Sequence, residues 1–344
     1  PRNYLGRAYQ QTPIAITVEG ANILTRTMII FGQGAIRGHP YVLREINATR
    51  EADPDKALRG FDDAFFAHIG FVISNKARAL FLGLTGGRLV SVPGDADTRR
   101  YYQQLTRLSA AFAFATDMAM FLLGGQLKRK ETLSARLGDI LSQLYLCSAA
   151  LKRYEDSGRQ RAELPLLDWS IQDALYRIQS AFVGLIENFP NRAAGLLLRV
   201  VVFPLGRHFS PPSDELGHKV AGLLLEPSAV RDRLTAGVFI PSSPDDPITQ
   251  LEHALRAAIG AEAVYAKVYA AAKQERFTGK TPDELVARAR EQGIITREEA
   301  DAVARSKALR RAVVMVDDFP VDFGKENSGQ HDVDVGTVEA RRTA

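Results

Sequence analysis

The chain has 344 residues, 46% hydrophobic and 24% charged, a globular mix that excludes a disordered protein and leaves room for a sizeable core and more than one domain. Its formal charge of +4 comes from 44 Lys and Arg interspersed with 40 Asp and Glu, so no basic stripe suited to a phosphate backbone emerges and nucleic acid is not an expected partner. A single cysteine, Cys147, excludes an intrachain disulfide and fits a reducing compartment.

The chain opens on Pro1 without the basic start and apolar stretch of a secretion signal, and it reads as a fragment of a longer protein. Residues 13–43, PIAITVEGANILTRTMIIFGQGAIRGHPYVL, set one carboxylate, Glu19, between Ile14, Ile16 and Val18 on one side and Ile23, Leu24 and Met28 on the other. An acid there has two readings. It is a helix-start residue facing water, which the backbone dipole favours by about 0.3–1 kcal/mol, or it is a base that Ile14, Ile16, Val18, Ile23 and Leu24 wall off for proton transfer.

Further along, Asp53 before Pro54 predicts an N-cap and a helix over 54–83. LGLTGGRL (82–89) lacks the Lys-Ser/Thr pair of a phosphate loop and is read as that helix's end, with Gly86 or Gly87 left-handed. After the break VPGDADT (92–98), Leu105, Leu108, Phe112, Ala115, Ala119 and Leu122 recur on one helical face. Its most apolar window, 109–125, is shorter than the roughly 20 residues a membrane span needs and contains Asp117, so a core helix is expected. Leu133, Leu137, Ile140, Leu144, Cys147 and Leu151 form the next face, with Cys147 a small buried hydrophobe, and the two helices are expected to run antiparallel.

More helices are predicted at about 165–189, 191–203, 213–225, 228–237 and 249–273, with breaks at 203–214 and 240–247. Thr281 with Glu284, and Thr296 with Glu299, have capping-box spacing, and Gly293 between them marks a small helical hairpin. Alternation at period two is scarce, so the fold class is all-α. From Asp317 the sequence is acidic and aperiodic and is expected to be disordered beyond Phe323.

The generic motifs fail. GQGAIRG (32–38) follows a helical run rather than a strand, so it is not a dinucleotide loop. His39, His68, His208, His218, His253 and His331 show neither HExxH nor Cys/His spacing, so no metal is expected. No GxSxG elbow occurs, and Trp169 is read as a core or seam residue, or as a docking indole.

TVEGANILTR resembles the segment of the acyl-CoA dehydrogenase superfamily, with its Tyr-Glu-Gly-Thr-Asn core and closing Arg, that carries the catalytic glutamate in many members. NYLGRAYQQTPIAITVEGANILTRTMIIFGQGAIRGHPYVL extends the likeness to the long bacterial enzymes of fatty-acid β-oxidation. HIGFVISNKARALFLGLTGGRL, TRRYYQQLTRLSAAFAFATDMAM, LKRKETLSARLGDILSQLYL, NFPNRAAGLLLRVVVFPLGR and VDDF are similar to their C-terminal extension, so the likeness covers about residues 1–319.

The resemblance implies α,β-desaturation of a fatty acyl-CoA with FAD as cofactor. Glu19 would be the catalytic base, Gly20 a substrate-binding glycine, and Ala21, Asn22 and Ile23 the cofactor-binding positions, with Arg26 on the closing arginine. In relatives the backbone amide at the glutamate helps hold the thioester oxygen. Ala21 departs from the family's Thr, so only a backbone contact carries over there. The implied division is 1–53 as the end of the catalytic helical domain, 54–240 as the helical extension, 241–316 as a small helical subdomain and 317–344 as a disordered tail. The flavin and the acyl chain are held elsewhere in relatives, so the fragment alone is expected to be inactive. Expected partners are the acyl-CoA and an electron-transferring flavoprotein, with a homo-oligomer and peripheral contact at the inner membrane as further possibilities; the expected localisation is cytoplasmic. The alternative is a non-catalytic helical module for interaction or membrane docking.

Overall fold

The computed structural model describes residues 4–239, 241–274 and 276–316. The chain is all-α: among the described residues there are thirteen α-helices and no strand. The expected disordered tail, 317–344, lies outside the described residues. The described residues divide into two compact units, one over residues 14–236 and one from residue 237 onward together with the described residues up to Pro13.

The first helix is α1 (Tyr4–Leu24), which continues into a π-helical segment, Thr25–Gln33, and then into α2 (Gly34–Gly38) and α3 (Val42–Ala48). Asp53 then caps α4 (Pro54–Leu84): its carboxylate accepts the backbone N–H groups of Asp55 at 3.0 Å and Lys56 at 3.2 Å, and Pro54 occupies a first-turn position where its missing N–H is not needed. The left-handed turn is confirmed at the other end, where Gly86 and Gly87 have φ of +58° and +72°. The chain reverses into α5 (Arg99–Leu123), whose buried Gln103 donates its side-chain amide to the Arg88 carbonyl at 3.2 Å.

A short 3-10 stretch leads to α6 (Glu131–Asp156), and another leads to α7 (Leu164–Glu187). α6 and α7 pack antiparallel along their length, and the residues read from the sequence as one apolar face are the ones inside. Leu133, Leu137, Ile140, Leu144, Cys147 and Leu151 are all buried. They meet Ile171, Ile178, Phe182 and Leu185 of α7, Leu108, Phe114 and Ala115 of α5, and Leu198, Val201 and Val202 of α8 (Arg192–Val202). Fully burying an aliphatic side chain of this kind contributes about 1.5–3 kcal/mol, so this cluster is the main support of the unit. Gly83 lets α4 meet the chain after α8, since a Cβ there would lie 2.7 Å from Pro204 Cγ. Next come α9 (Asp214–Leu225), capped by Ser213, and α10 (Ala229–Leu234), capped by Ser228.

Residue 237 begins the second unit, which has its own core. In α11 (Pro247–Lys273) Ala261, Val264, Val268 and Ala271 are buried and face Phe277, Ala289, Ile295 and Val303. α12 (Pro282–Glu291) and α13 (Arg297–Val314) are joined through Gly293 at φ +68°. Thr296 and Glu299 form the reciprocal capping box that their spacing predicts. The hairpin is not the unit's main packing pair, because α13 lies chiefly along α11, where Lys267 pairs with Glu299.

Candidate functional site

The residues singled out from the sequence lie near the C-terminal end of α1. Glu19 stands in the body of this helix, well past its first turn, so the helix-start description is corrected. Residues three and four apart share a helix face, which puts Ile16 one turn before Glu19 and Asn22 and Ile23 one turn after it. Asn22 donates its Nδ2 to Glu19 Oε1 at 3.3 Å. The aliphatic neighbours do not wall Glu19 off from water within this chain: Ile16 is 80% exposed, Ile23 is 57% exposed, and Glu19 and Asn22 are exposed too. A carboxylate on an open apolar stripe is the arrangement actually present. Gly20 and Ala21 continue the helix.

One implied contact meets a physical obstacle. Inside an α-helix each backbone N–H is bonded to the carbonyl four residues earlier, so the amide of Glu19 is engaged with Ala15 and does not point outward at an oxygen. Gly20 is the weak link here, because glycine inside a helix costs about 0.5–1 kcal/mol relative to alanine. For a flavin, Asn22 offers an amide and Ile23 an apolar surface on an open helix face. These positions present one open face and no enclosure.

Beyond this segment the backbone widens into the π-helix. The Gly34 N–H bonds the Ile29 carbonyl, five residues back, and Thr27 Oγ donates to the Ile23 carbonyl at 2.9 Å. Phe31 is buried in the core, and Arg26 Nη1 reaches Asp139 Oδ1 of α6 at 2.8 Å. Arg26, the closing arginine of the motif, thus anchors this segment on α6.

The structure also assembles a group that sequence spacing did not reveal. His39 follows α2, Glu45 lies on α3, His68 on α4 and Asp117 on α5. His39 Nε2 is 2.9 Å from Asp117 Oδ1, and His68 Nδ1 is 2.8 Å from Glu45 Oε1. The two imidazole centroids are 4.6 Å apart, with Tyr41 and Phe71 against them. Glu45, His68 and Asp117 line a cavity of about 630 Å³ whose walls include Val42, Phe65, Val72, Met118 and Phe121. The separations in sequence fit no metal or catalytic motif. The one available signal was Asp117 within the most apolar window of the chain, a buried charge that requires a partner.

A family model described as "Acyl-CoA dehydrogenase, C-terminal, bacterial type" matches residues 36–319. The chain belongs to this family. No solved structure matches it. The match takes in the whole of α3 to α13 and the His39, Glu45, His68 and Asp117 group, whereas Glu19 to Ile23 lie ahead of it. Within this bacterial-type acyl-CoA dehydrogenase C-terminal domain, the large α4 to α8 core is the scaffold. Among the described residues of the chain, two helical stretches, residues 8–38 ahead of the matched domain and residues 99–129 inside it, are long and apolar enough to cross a membrane by length and composition. The second contributes Leu108, Phe114 and Ala115 to the core.

Proposed function

We propose that this chain carries the general base and the C-terminal helical domain of an FAD-dependent acyl-CoA dehydrogenase that converts fatty acyl-CoA to the trans-2-enoyl thioester in β-oxidation. The observation that carries the reading is the placement of Glu19: a carboxylate with Ile16 and Ile23 one turn to either side, directly ahead of a domain of this family. Such a face supplies the proton acceptor and part of the apolar surface an acyl chain needs, and it becomes dry only when the rest of a pocket covers it.

In this reading Glu19 takes the α proton while negative charge develops on the thioester oxygen. A positioned base contributes about 10²–10⁴-fold. The enolate oxygen needs donors aimed at it, and the amide of Glu19 can serve only if α1 opens at Gly20. FAD, when bound, supplies the oxidant that accepts the β hydride. Asn22 holds the Glu19 carboxylate in place through its amide, and Ile23 excludes water on the same face. Electrons then pass to an electron-transferring flavoprotein.

The test is Glu19→Gln in the full-length enzyme that contains this segment. The reading expects folding and flavin content to be retained and turnover to fall by about 10²–10⁴-fold; unchanged turnover overturns it. The 344-residue chain by itself is expected to elute from gel filtration without stoichiometric flavin. The second reading, a docking module, draws on the same exposed stripe, Ile14, Ile16, Val18 and Ile23, as a surface for a partner or the inner membrane. It expects Glu19→Gln to leave catalysis untouched.

A further inference from the structure

We propose that His68 and Asp117 form a binding site for a divalent transition-metal ion such as Zn²⁺, with Glu45 and His39 as positioning residues. The argument starts from the protons. His39 Nδ1 accepts two backbone N–H groups, from Tyr41 at 3.2 Å and Val42 at 3.1 Å, so its own proton sits on Nε2 and is donated to Asp117 Oδ1. His39 therefore has no lone pair free and serves to hold Asp117. His68 presents Nδ1 to the Glu45 carboxylate, which can only accept, so the remaining nitrogen, Nε2, carries a lone pair.

Charge points to what is bound. Glu45 and Asp117 bring two carboxylates, and the basic side chains within ion-pair distance of them among the described residues are these two histidines, each neutral in the protonation just described. The Asp117 side chain is only 3% exposed, and its Oδ2 is buried with no hydrogen-bond partner. Buried charges are as a rule paired or coordinated to a metal, because an isolated buried carboxylate is costly. A cation against Oδ2 removes that cost.

Geometry and chemistry agree on the class of cation. With His39 engaged on both nitrogens, the remaining pair still qualifies: a ligand atom of His68 and one of Asp117 lie within 4.8 Å of each other, near enough to share one ion. Imidazole with carboxylate suits zinc and its neighbours rather than magnesium or calcium, which favour all-oxygen sets. The pairing of Glu45 with His68 Nδ1 is the carboxylate–histidine arrangement that fixes a ring and raises the basicity of the nitrogen on the metal. His39 is absent from the cavity lining, while His68, Asp117 and Glu45 are in it. The ion would thus sit at the polar end of an apolar cavity, with its remaining coordination positions filled by water.

The test uses the 344-residue chain, stripped of metal with a chelator and titrated with Zn²⁺ against a chromophoric competitor. One equivalent is expected to bind per chain. That equivalent is expected to be lost in His68→Gln and in Asp117→Asn, and weakened about 10–100-fold in Glu45→Gln. No stoichiometric uptake, or uptake unchanged in His68→Gln, overturns the proposal. A second measurement needs no variant: Zn²⁺ is expected to protect the peptide containing His68 from diethyl pyrocarbonate, read by mass spectrometry, and equal labelling with and without the ion contradicts the site.

Discussion

Gly86 and Gly87 allow the junction between α4 and α5 to be tested by two neighbouring substitutions that differ in one physical respect. Both residues are left-handed, at φ +58° and +72°. A Cβ on Gly86 would find only Arg100 Nη2, 3.5 Å away, whereas one on Gly87 would lie 2.7 Å from the backbone oxygen of Gln103. Forcing an alanine into the left-handed region costs about 1–2 kcal/mol. Restricting the unfolded chain returns about 0.4–1 kcal/mol, so Gly86→Ala should destabilise by about 0–1.6 kcal/mol. Gly87→Ala adds overpacking against backbone that cannot rotate away, about 1–3 kcal/mol more, for a total of about 1–4.6 kcal/mol. Urea unfolding followed by the fluorescence of Trp169, the single tryptophan of the chain and a residue of the 14–236 unit, reads both. Equal losses for the two variants would refute the claim that close approach of Gly87 to Gln103 sets the junction.

Glu163 is buried and receives Arg153 Nη1 at 3.0 Å and Arg233 Nε at 2.5 Å. Burial pushes its carboxyl up, but the hydrogen bonds and charges of Arg233 and Arg153 together outweigh burial and hold it below its ordinary value of 4.5. A depressed folded value means that this stabilisation is present above about pH 4.5 and is lost as pH falls through the folded-state value. Arg233→Ala is therefore expected to lose about 1.5–3 kcal/mol at pH 7 and to flatten the acid limb of a urea-midpoint profile; an unchanged limb contradicts the pairing. Burial pushes the Cys147 thiol up to about 12, so in native protein at pH 8 it should resist an aromatic disulfide reagent and react fully in urea, and fast native labelling would place it outside the core.

Much of the fold was legible because its signals are local. The series from Leu133 to Leu151 could be assigned to one face from spacing alone, and Asp53, Thr281 and Thr296 announce helix starts through side-chain oxygens that bond amides two or three residues on. The π-helical register at Thr25–Gln33 was not legible, since apolar spacing there is compatible with an ordinary helix and the wider turn shows only in the bonding. The setting of Glu19 is less legible for a different reason. Of the aliphatic residues beside it in sequence, only those three or four apart share its helix face, and these, Ile16 and Ile23, are open to solvent in this chain. The group of His39, Glu45, His68 and Asp117 exists only because α3 packs on α4 and α4 on α5, a tertiary event that no fixed spacing encodes.

The same packing logic explains why the catalytic reading concentrates on so few residues. Arg26 ties the π-helical segment to α6 through Asp139, and Phe31 sinks into the core, so the helix that carries Glu19 is anchored at its C-terminal end while the face bearing Glu19 stays open. The central claim is that this carboxylate removes the proton next to a thioester carbonyl. Exchange of that proton for deuterium, measured by mass spectrometry on an acyl-CoA incubated in D₂O with the flavin-loaded full-length enzyme, tests it most directly. The account predicts exchange at the α carbon in wild type and a loss of about 10²–10⁴-fold in Glu19→Gln with flavin still bound. Equal exchange in both proteins would contradict it.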